Sequence, residues 1–153
     1  MEYARQERQM LMEQCKQAAK IADEEGVTLC MECHPNTYTQ RLEDALDLMR
    51  ELNTPCFQMY WQPFQWQSVE ENLTYAKAIA FFVCNIHVFQ WKGQQRFSLN
   101  SGIEEWQSYL REFPAPRTLL LEFMPDNRLH SLPKEADALR KIIGARYESN
   151  ITV

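Results

Sequence analysis

The stretch that decides the fold is residues 27–34, Val-Thr-Leu-Cys-Met-Glu-Cys-His. It follows Gly26 as a short β-prone run and leads into a loop that contains Pro35. A helical spacing of apolar residues then extends over 39–52. The stretch therefore predicts a strand over 27–32 and, with its helix, one β-loop-α unit.

The same unit recurs along the chain, and one helix precedes the first unit. That helix is predicted over 2–25, because Gly26 suits the position that follows a helix. The remaining predicted elements are strands over 56–61, 83–89 and 117–123, and helices over 68–81, 103–113 and 133–147. A long polar loop is predicted between the third strand and the helix that follows it.

The predicted order is therefore α followed by βα four times, which favours a parallel sheet covered by helices. A (β/α)8 TIM barrel has eight such units in about 250 residues. The 153 residues consequently predict an α/β fold that is half of a TIM barrel, as a single domain over 1–153. A doubly wound sheet would show a glycine-rich phosphate-binding turn, and the four glycines of the chain form none.

The composition and charge of the chain limit the kinds of partner that it is expected to bind. The net charge is −5 and no run of Lys and Arg is present, so nucleic acid is not expected as a partner. No apolar stretch is long enough for a signal peptide or a membrane span, which predicts a cytoplasmic protein that does not bind membranes. The five cysteines lie in or beside apolar runs and are predicted to be reduced thiols. Cys30 and Cys33 should face opposite sides of one strand, so this C-x-x-C pair should not chelate an ion.

Four polar residues stand where predicted strands run into their loops: Glu32, Gln62, His87 and Glu122. The carboxyl ends of parallel strands form the site of such folds. Alternation along each strand allows all four side chains to point into the barrel, and in the third strand it sets Asn85 and His87 opposite Cys84, Ile86 and Val88. Two carboxylates, an imidazole and an amide predict a site for a divalent metal, namely Mn, Mg, Co or Zn.

Five segments occur in a fixed order: LCMECHPNTYT, MYWQPFQWQSVEENL, NIHVFQW, LNSGIEEWQSYL and LLLEFM. In this order they resemble the second half of the sugar phosphate isomerase/epimerase family, the xylose isomerase-like barrels. That family carries Glu ending strand five, Asp ending strand six with His three residues on, His ending strand seven and Glu ending strand eight. Glu32, His87 and Glu122 match the pattern, whereas Gln62 and Gln65 replace the Asp and its His companion. We interpret Gln62 as a neutral ligand.

The resemblance implies a reaction and its residues. In the family a metal holds the carbonyl and hydroxyl oxygens of a ketose or aldose and lowers the energy of a cis-enediolate. One carboxylate removes the proton next to the carbonyl and the other returns it, roles that Glu32 and Glu122 could take. The expected small-molecule partner is a sugar or sugar phosphate.

Residues in the loops near these strand ends are candidates for substrate binding. His34 lies on the same face as Glu32 and could hydrogen-bond a sugar hydroxyl, with a bond to nearby backbone as the alternative. Trp66 and Trp91 could stack on sugar faces, with packing as the alternative, whereas Trp61 and Trp106 are predicted to be core residues. Arg96, together with Lys92, could meet an anionic substrate or lie on a solvated surface.

Four strands cannot close a barrel, so the sequence also predicts two exposed edges and an open inner face. Either a homo-oligomer, most simply a dimer, or a missing N-terminal half would cover them. Two other functions stay open at this point. One is a non-catalytic half barrel that acts as a binding or assembly module. The other is an endonuclease-type metal hydrolase, although His130 is the only further histidine available for a multi-zinc centre.

Overall fold

The computed structural model of the chain describes residues 2–113 and 117–144. The helices in this part of the chain are α1 (Glu2–Glu24), α2 (Leu42–Leu52), α3 (Val69–Ile79), α4 (Ile103–Arg111) and α5 (Leu132–Ile143). The strands are β1 (Leu29–Glu32), β2 (Phe57–Trp61), β3 (Val83–Val88), β4 (Gln90–Lys92), β5 (Gln95–Phe97) and β6 (Thr118–Leu121). Short 3-10 turns occur at Tyr38–Gln40, Ala80–Phe82, Leu99–Gly102 and Leu129–Ser131.

The main sheet has four parallel strands in the order β1-β2-β3-β6. Helices α2, α3 and α4 connect successive strands and pack on one face of the sheet, with α1 against α2 and α5 against α4. This arrangement confirms the prediction of half a (β/α)8 barrel. The opposite face, which we call the inner face, carries the side chains that would line a barrel interior.

Aromatic packing holds the helices to the sheet. Trp61 is fully buried, and its ring centroid lies 6.1 Å from that of Trp106 and 5.3 Å from those of Tyr109 and Phe113. The two edge-to-face pairs, with Trp106 and Tyr109, add about 0.5–1.5 kcal/mol each to the free energy of burying apolar area. The prediction that Trp61 and Trp106 are core residues is confirmed.

The predicted long polar loop after β3 contains a hairpin. Its two strands, β4 and β5, pair in antiparallel register around Gly93, whose φ of 58° suits the first position of a tight two-residue turn. Each strand has three residues, which is too short for the alternation that marks a strand in sequence. The loop prediction was therefore wrong for this segment.

The ends of the helices also depart from the predictions. The predicted helix over 39–52 is a 3-10 turn followed by α2, and the one over 68–81 ends in a 3-10 turn after Ile79. Pro133 lies in the first turn of α5, as expected. The last three residues of the helix predicted over 133–147 lie outside the described residues. In the part of the chain that is described, no helix has the length and apolar content that crossing a membrane requires.

A β-bulge between β2 and β3 changes the side of the sheet on which one side chain lies. Met59 pairs with Val83 and Tyr60 pairs with Asn85, so Cys84 is an extra residue in β3. The Asn85 Nδ2 lies 3.3 Å from the Cys84 Sγ. The prediction that these two neighbours face opposite sides was wrong, because strict alternation fails where a strand bulges.

Helix α3 begins with a capping box that offers a test of local stability. The Ser68 Oγ accepts from the Glu71 backbone N–H, and the Glu71 carboxylate accepts from the Ser68 backbone N–H. Ser68→Ala should lower the free energy of unfolding by about 1 kcal/mol, because it removes this cap. Urea denaturation followed by circular dichroism measures it. Thr74→Ala, an exposed change inside α3, is the control, and an equal loss in both variants would contradict the capping role.

Candidate metal centre

Four side chains converge at the carboxyl end of the main sheet. The His87 Nδ1 lies 3.1 Å from the Gln62 Oε1, 3.5 Å from the Glu32 Oε1 and 3.4 Å from the Glu122 Oε2. One ligand atom from each of Glu32, His87 and Glu122 falls within 4.8 Å of the others. The structure thus brings together all four residues that the sequence proposed as metal ligands.

The end of β1 is held by the loop that follows it. Thr39, a buried residue, donates its hydroxyl hydrogen to the Glu32 carbonyl oxygen at 2.7 Å. The Tyr75 hydroxyl of α3 donates in turn to the Thr39 carbonyl. Because a buried carbonyl needs a partner, these bonds fix the chain direction at Glu32.

The loop after β2 is clamped by a side chain from the following helix. Asn72 of α3 is buried, and its amide accepts from the Phe64 backbone N–H at 2.8 Å and donates to the Phe64 carbonyl at 3.2 Å. Both ends of one amide thereby hold the segment just after Gln62. Gln62 itself is 3% exposed, so its side chain has little freedom to leave the cluster.

The other two residues are held by packing and by the sheet. The Tyr60 ring lies against the His87 imidazole, with centroids 4.5 Å apart. The Trp106 indole N–H donates to the Phe89 carbonyl at 2.9 Å, just beyond the end of β3. The Glu122 backbone N–H donates to the Val88 carbonyl at 3.2 Å, which continues the ladder between β3 and β6 past the last paired residue.

The electrostatics of the cluster favour a bound cation. The side chains of Glu32, His87 and Glu122 are 39%, 19% and 27% exposed. Burial raises the pKa of Glu122, and repulsion by the Glu32 carboxylate raises it further, while His87, His34 and Arg96 act in the opposite direction. Two partly desolvated carboxylates close together are costly, and a positive ion between them removes that cost.

The donor set fits a divalent metal ion. Adjacent ligands around an octahedral ion with bonds of about 2.1 Å are about 3.0 Å apart, and tetrahedral ligands at this bond length are about 3.4 Å apart. The distances of 3.1–3.5 Å from the His87 Nδ1 to the three oxygens match this range. Glu32 and Glu122 balance a charge of +2, and Gln62 adds an oxygen without further charge.

The residues proposed to bind substrate lie in the surrounding loops, and they differ in their exposure and in their contacts. His34 is exposed, and its Nδ1 is 2.8 Å from the Pro35 carbonyl, which is the contact to nearby backbone that formed the alternative interpretation. Trp66 is 69% exposed and lies beside Gly93 at the turn of the hairpin. Lys92 pairs with Glu105 at 2.8 Å, and its side chain is 57% exposed, as the alternative of a solvated surface expects.

Arg96 and Trp91 form one stacked unit. The Arg96 guanidinium carbon lies 4.5 Å from the centroid of the Trp91 ring and 4.4 Å from that of Phe123. Asn127 accepts a hydrogen bond from the same guanidinium. The Trp91 ring is therefore covered by Arg96, and the charge of Arg96 is close enough to Glu122 to oppose part of the rise that burial causes in the pKa of that carboxyl.

Sequence reasoning missed the residues that hold the cluster in place. Thr39, Asn72 and Trp106 act through hydrogen bonds to strand ends and loops that lie 7, 8 and 17 residues earlier in the chain. Glu135 is also buried, and its carboxylate accepts from the Leu99 N–H and the Ser98 hydroxyl, tying α5 to the chain after the hairpin. A polar residue at a buried helical position is the one signal that could have marked Asn72 and Glu135.

The family model for xylose isomerase-like TIM barrels matches residues 2–143, which include all five described helices and both sheets. No curated protein matches the chain significantly.

Glu122→Gln tests the metal centre. The change is nearly isosteric but removes an anionic ligand, so the fold should persist while Mn²⁺ binding weakens. We expect a loss of at least about tenfold in affinity, since residues that merely support a ligand lower it about 10- to 100-fold when mutated. Titration calorimetry measures this, with Glu104→Gln on the exposed side of α4 as the control. Equal affinity in all three proteins would exclude Glu122 as a ligand.

Proposed function

Because the chain belongs to the xylose isomerase-like TIM barrel family, we propose that it takes part in metal-dependent isomerisation or epimerisation of a sugar or sugar phosphate. The observation that carries this proposal is the convergence of Glu32, Gln62, His87 and Glu122 at the carboxyl end of the sheet. That edge is where enzymes of barrel folds place their chemistry. The donor set matches the hard or borderline divalent ions of such reactions.

The two carboxylates have the placement that proton transfer requires. Glu32 ends β1 and Glu122 follows β6, the first and last strands of the sheet, so they approach a bound substrate from different directions. One carboxylate removes the proton from the carbon beside the carbonyl, and the other delivers a proton to the new position or the opposite face. A divalent ion held by the four side chains would polarise that carbonyl and make the neighbouring C–H more acidic.

The surrounding loops support a polar, hydroxylated substrate. Arg96 is held rigidly over two aromatic rings beside Glu122, which suits recognition of a phosphate or carboxylate group. His34, next to the cluster, can bond a sugar hydroxyl, and the exposed Trp66 can stack on the apolar face of a sugar ring. The net charge of −5 is unfavourable for a nucleic acid substrate.

Exchange of the carbon-bound proton tests the reaction itself. The protein is incubated with Mn²⁺ and a panel of ketoses and ketose phosphates in D₂O, and NMR follows deuterium entering next to the carbonyl. Glu32→Gln should slow the exchange about 100-fold or more, because it removes one proton-transfer group. Glu104→Gln should exchange at the unmutated rate. Absence of exchange from a protein that binds one Mn²⁺ would contradict the isomerase proposal, and binding of several zinc ions would favour a hydrolase.

We also propose that the inner face of the sheet is covered by a second copy of the chain or by further strands. In the described sheet, β1 and β6 each have a neighbour on one side only, and Leu29 and Leu120 on these edge strands are both 38% exposed. Unpaired strand edges are templates for further pairing. A two-fold contact between half barrels is the simplest closed assembly of one chain.

Light scattering at micromolar concentration tests this association. The expected result is a mass about twice that of the 18.2 kDa chain. Replacing Leu120 with Lys should shift the mass towards the monomer, since a charge would then stand on the edge. A monomer for the unmutated protein would contradict self-association.

A further inference from the structure

Two cysteines on strands that are not neighbours lie in contact below the acidic cluster. The Sγ atoms of Cys30 in β1 and Cys84 in β3 are 2.8 Å apart, although β2 lies between their strands. Both side chains are half-buried on the inner face. Cys30 stands two residues before Glu32 and Cys84 three residues before His87. The pair therefore forms part of the floor beneath the candidate metal centre.

The bulge in β3 is what makes this contact. In a flat sheet, strands on either side of a third are about 9.6 Å apart, whereas a disulfide needs Cα atoms within about 7 Å of each other. The extra residue at Cys84 and the curvature of the half barrel turn the two side chains towards each other. The Asn85 amide lies 3.3 Å from one sulfur and 3.6 Å from the other, so the pair has a polar neighbour inside the fold.

The distance between the two sulfur atoms distinguishes a pair that binds a zinc ion from a pair that forms a disulfide. Two thiolates on one tetrahedral zinc ion, with bonds of about 2.3 Å, stand about 3.8 Å apart. The observed 2.8 Å is much shorter and lies within about 1 Å of the S–S bond length of about 2.05 Å. We propose that Cys30 and Cys84 are a redox-active pair that closes reversibly to an intrachain disulfide, linking β1 to β3 across β2.

The reaction needs a two-electron oxidant, and hydrogen peroxide supplies the right stoichiometry. The Cys84 thiol is directed at the Met59 carbonyl, so Cys30 is the thiol that reacts first. The Cys30 sulfur attacks the peroxide O–O bond, which gives a sulfenic acid and one water. The Cys84 sulfur then attacks the sulfenic sulfur and the hydroxyl leaves as a second water, taking up the Cys84 proton. Two thiols are oxidised and one peroxide is reduced.

The other three cysteines are less suited to forming a disulfide. Cys15 and Cys33 are buried in the core on the helix side of the sheet, away from the Cys30 and Cys84 pair. The Cys56 Sγ lies 3.1 Å from the Asp23 carboxylate, which raises the pKa of that thiol. Burial, together with Cys30 as a hydrogen-bond partner, also raises the pKa of Cys84 to about 12, so closure should be slow as well as selective.

A disulfide map of the full chain tests the pair without reference to sugar or metal. The purified protein is treated with hydrogen peroxide, alkylated after unfolding and digested without reductant, and mass spectrometry identifies the linked peptides. The expected result is one crosslink, between the peptides that hold Cys30 and Cys84, with a mass lower by two hydrogens and full reversal by dithiothreitol. Five alkylated thiols, a different crosslink, or oxidation of Cys30 to sulfinic acid without a crosslink would overturn the proposal.

Variants keep the test decisive. Cys30→Ser and Cys84→Ser should each abolish the crosslink, whereas Cys56→Ser should leave it unchanged as the matched control. Because the map on the unmutated protein stands alone, an unstable variant does not remove the test. Failure of the isomerase proposal would show in proton exchange, and failure of the disulfide would show only in the map.

Discussion

The parallel hydrogen bonding of β1, β2, β3 and β6 is the constraint on which the rest of the structure depends. It brings the carboxyl ends of four strands to one edge and sends every connection back over the same face. The helices bury Trp61 and its aromatic neighbours on that face, which leaves the inner face for polar groups. The helix-covered face therefore supplies the free energy of folding, and the inner face carries the candidate metal centre.

Electrostatic repulsion within the cluster on the inner face is unfavourable, and buried hydrogen bonds elsewhere in the fold hold the cluster together. Partly desolvated carboxylates at Glu32 and Glu122 repel each other, and burial raises the pKa of Glu122. Thr39 and Asn72 hold the loops around them and prevent the strand ends from spreading. A cluster held together against its own repulsion is prepared for a cation, because binding relieves the repulsion with little further ordering.

The loop after β3 brings a positively charged group, Arg96, to the edge of the sheet that holds the acidic cluster. Arg96 reaches the neighbourhood of Glu122 because the hairpin of β4 and β5 carries it there, and Trp91 and Phe123 hold its guanidinium in place. A fixed positive charge beside the candidate metal centre suits the anionic substrate that we propose. The Cys30 and Cys84 pair lies below Glu32 and His87, so the candidate centre stands between Arg96 and the two thiols.

The sequence alone determined the order of the βα units, the inward parity of Glu32, Gln62, His87 and Glu122, and the burial of Trp61, because these follow from local periods of 2.0 and 3.6 residues and from strand ends. The tertiary structure alone decided what depends on contacts between distant segments. The bulge that turns Cys84 inward needs the register of β2, and the stack that holds Arg96 needs Phe123 from a different βα unit. The Asn72 clamp likewise appears only once α3 packs against the loop after β2. Periodicity reports which face a residue occupies, whereas the partner across that face is set by folding the whole chain.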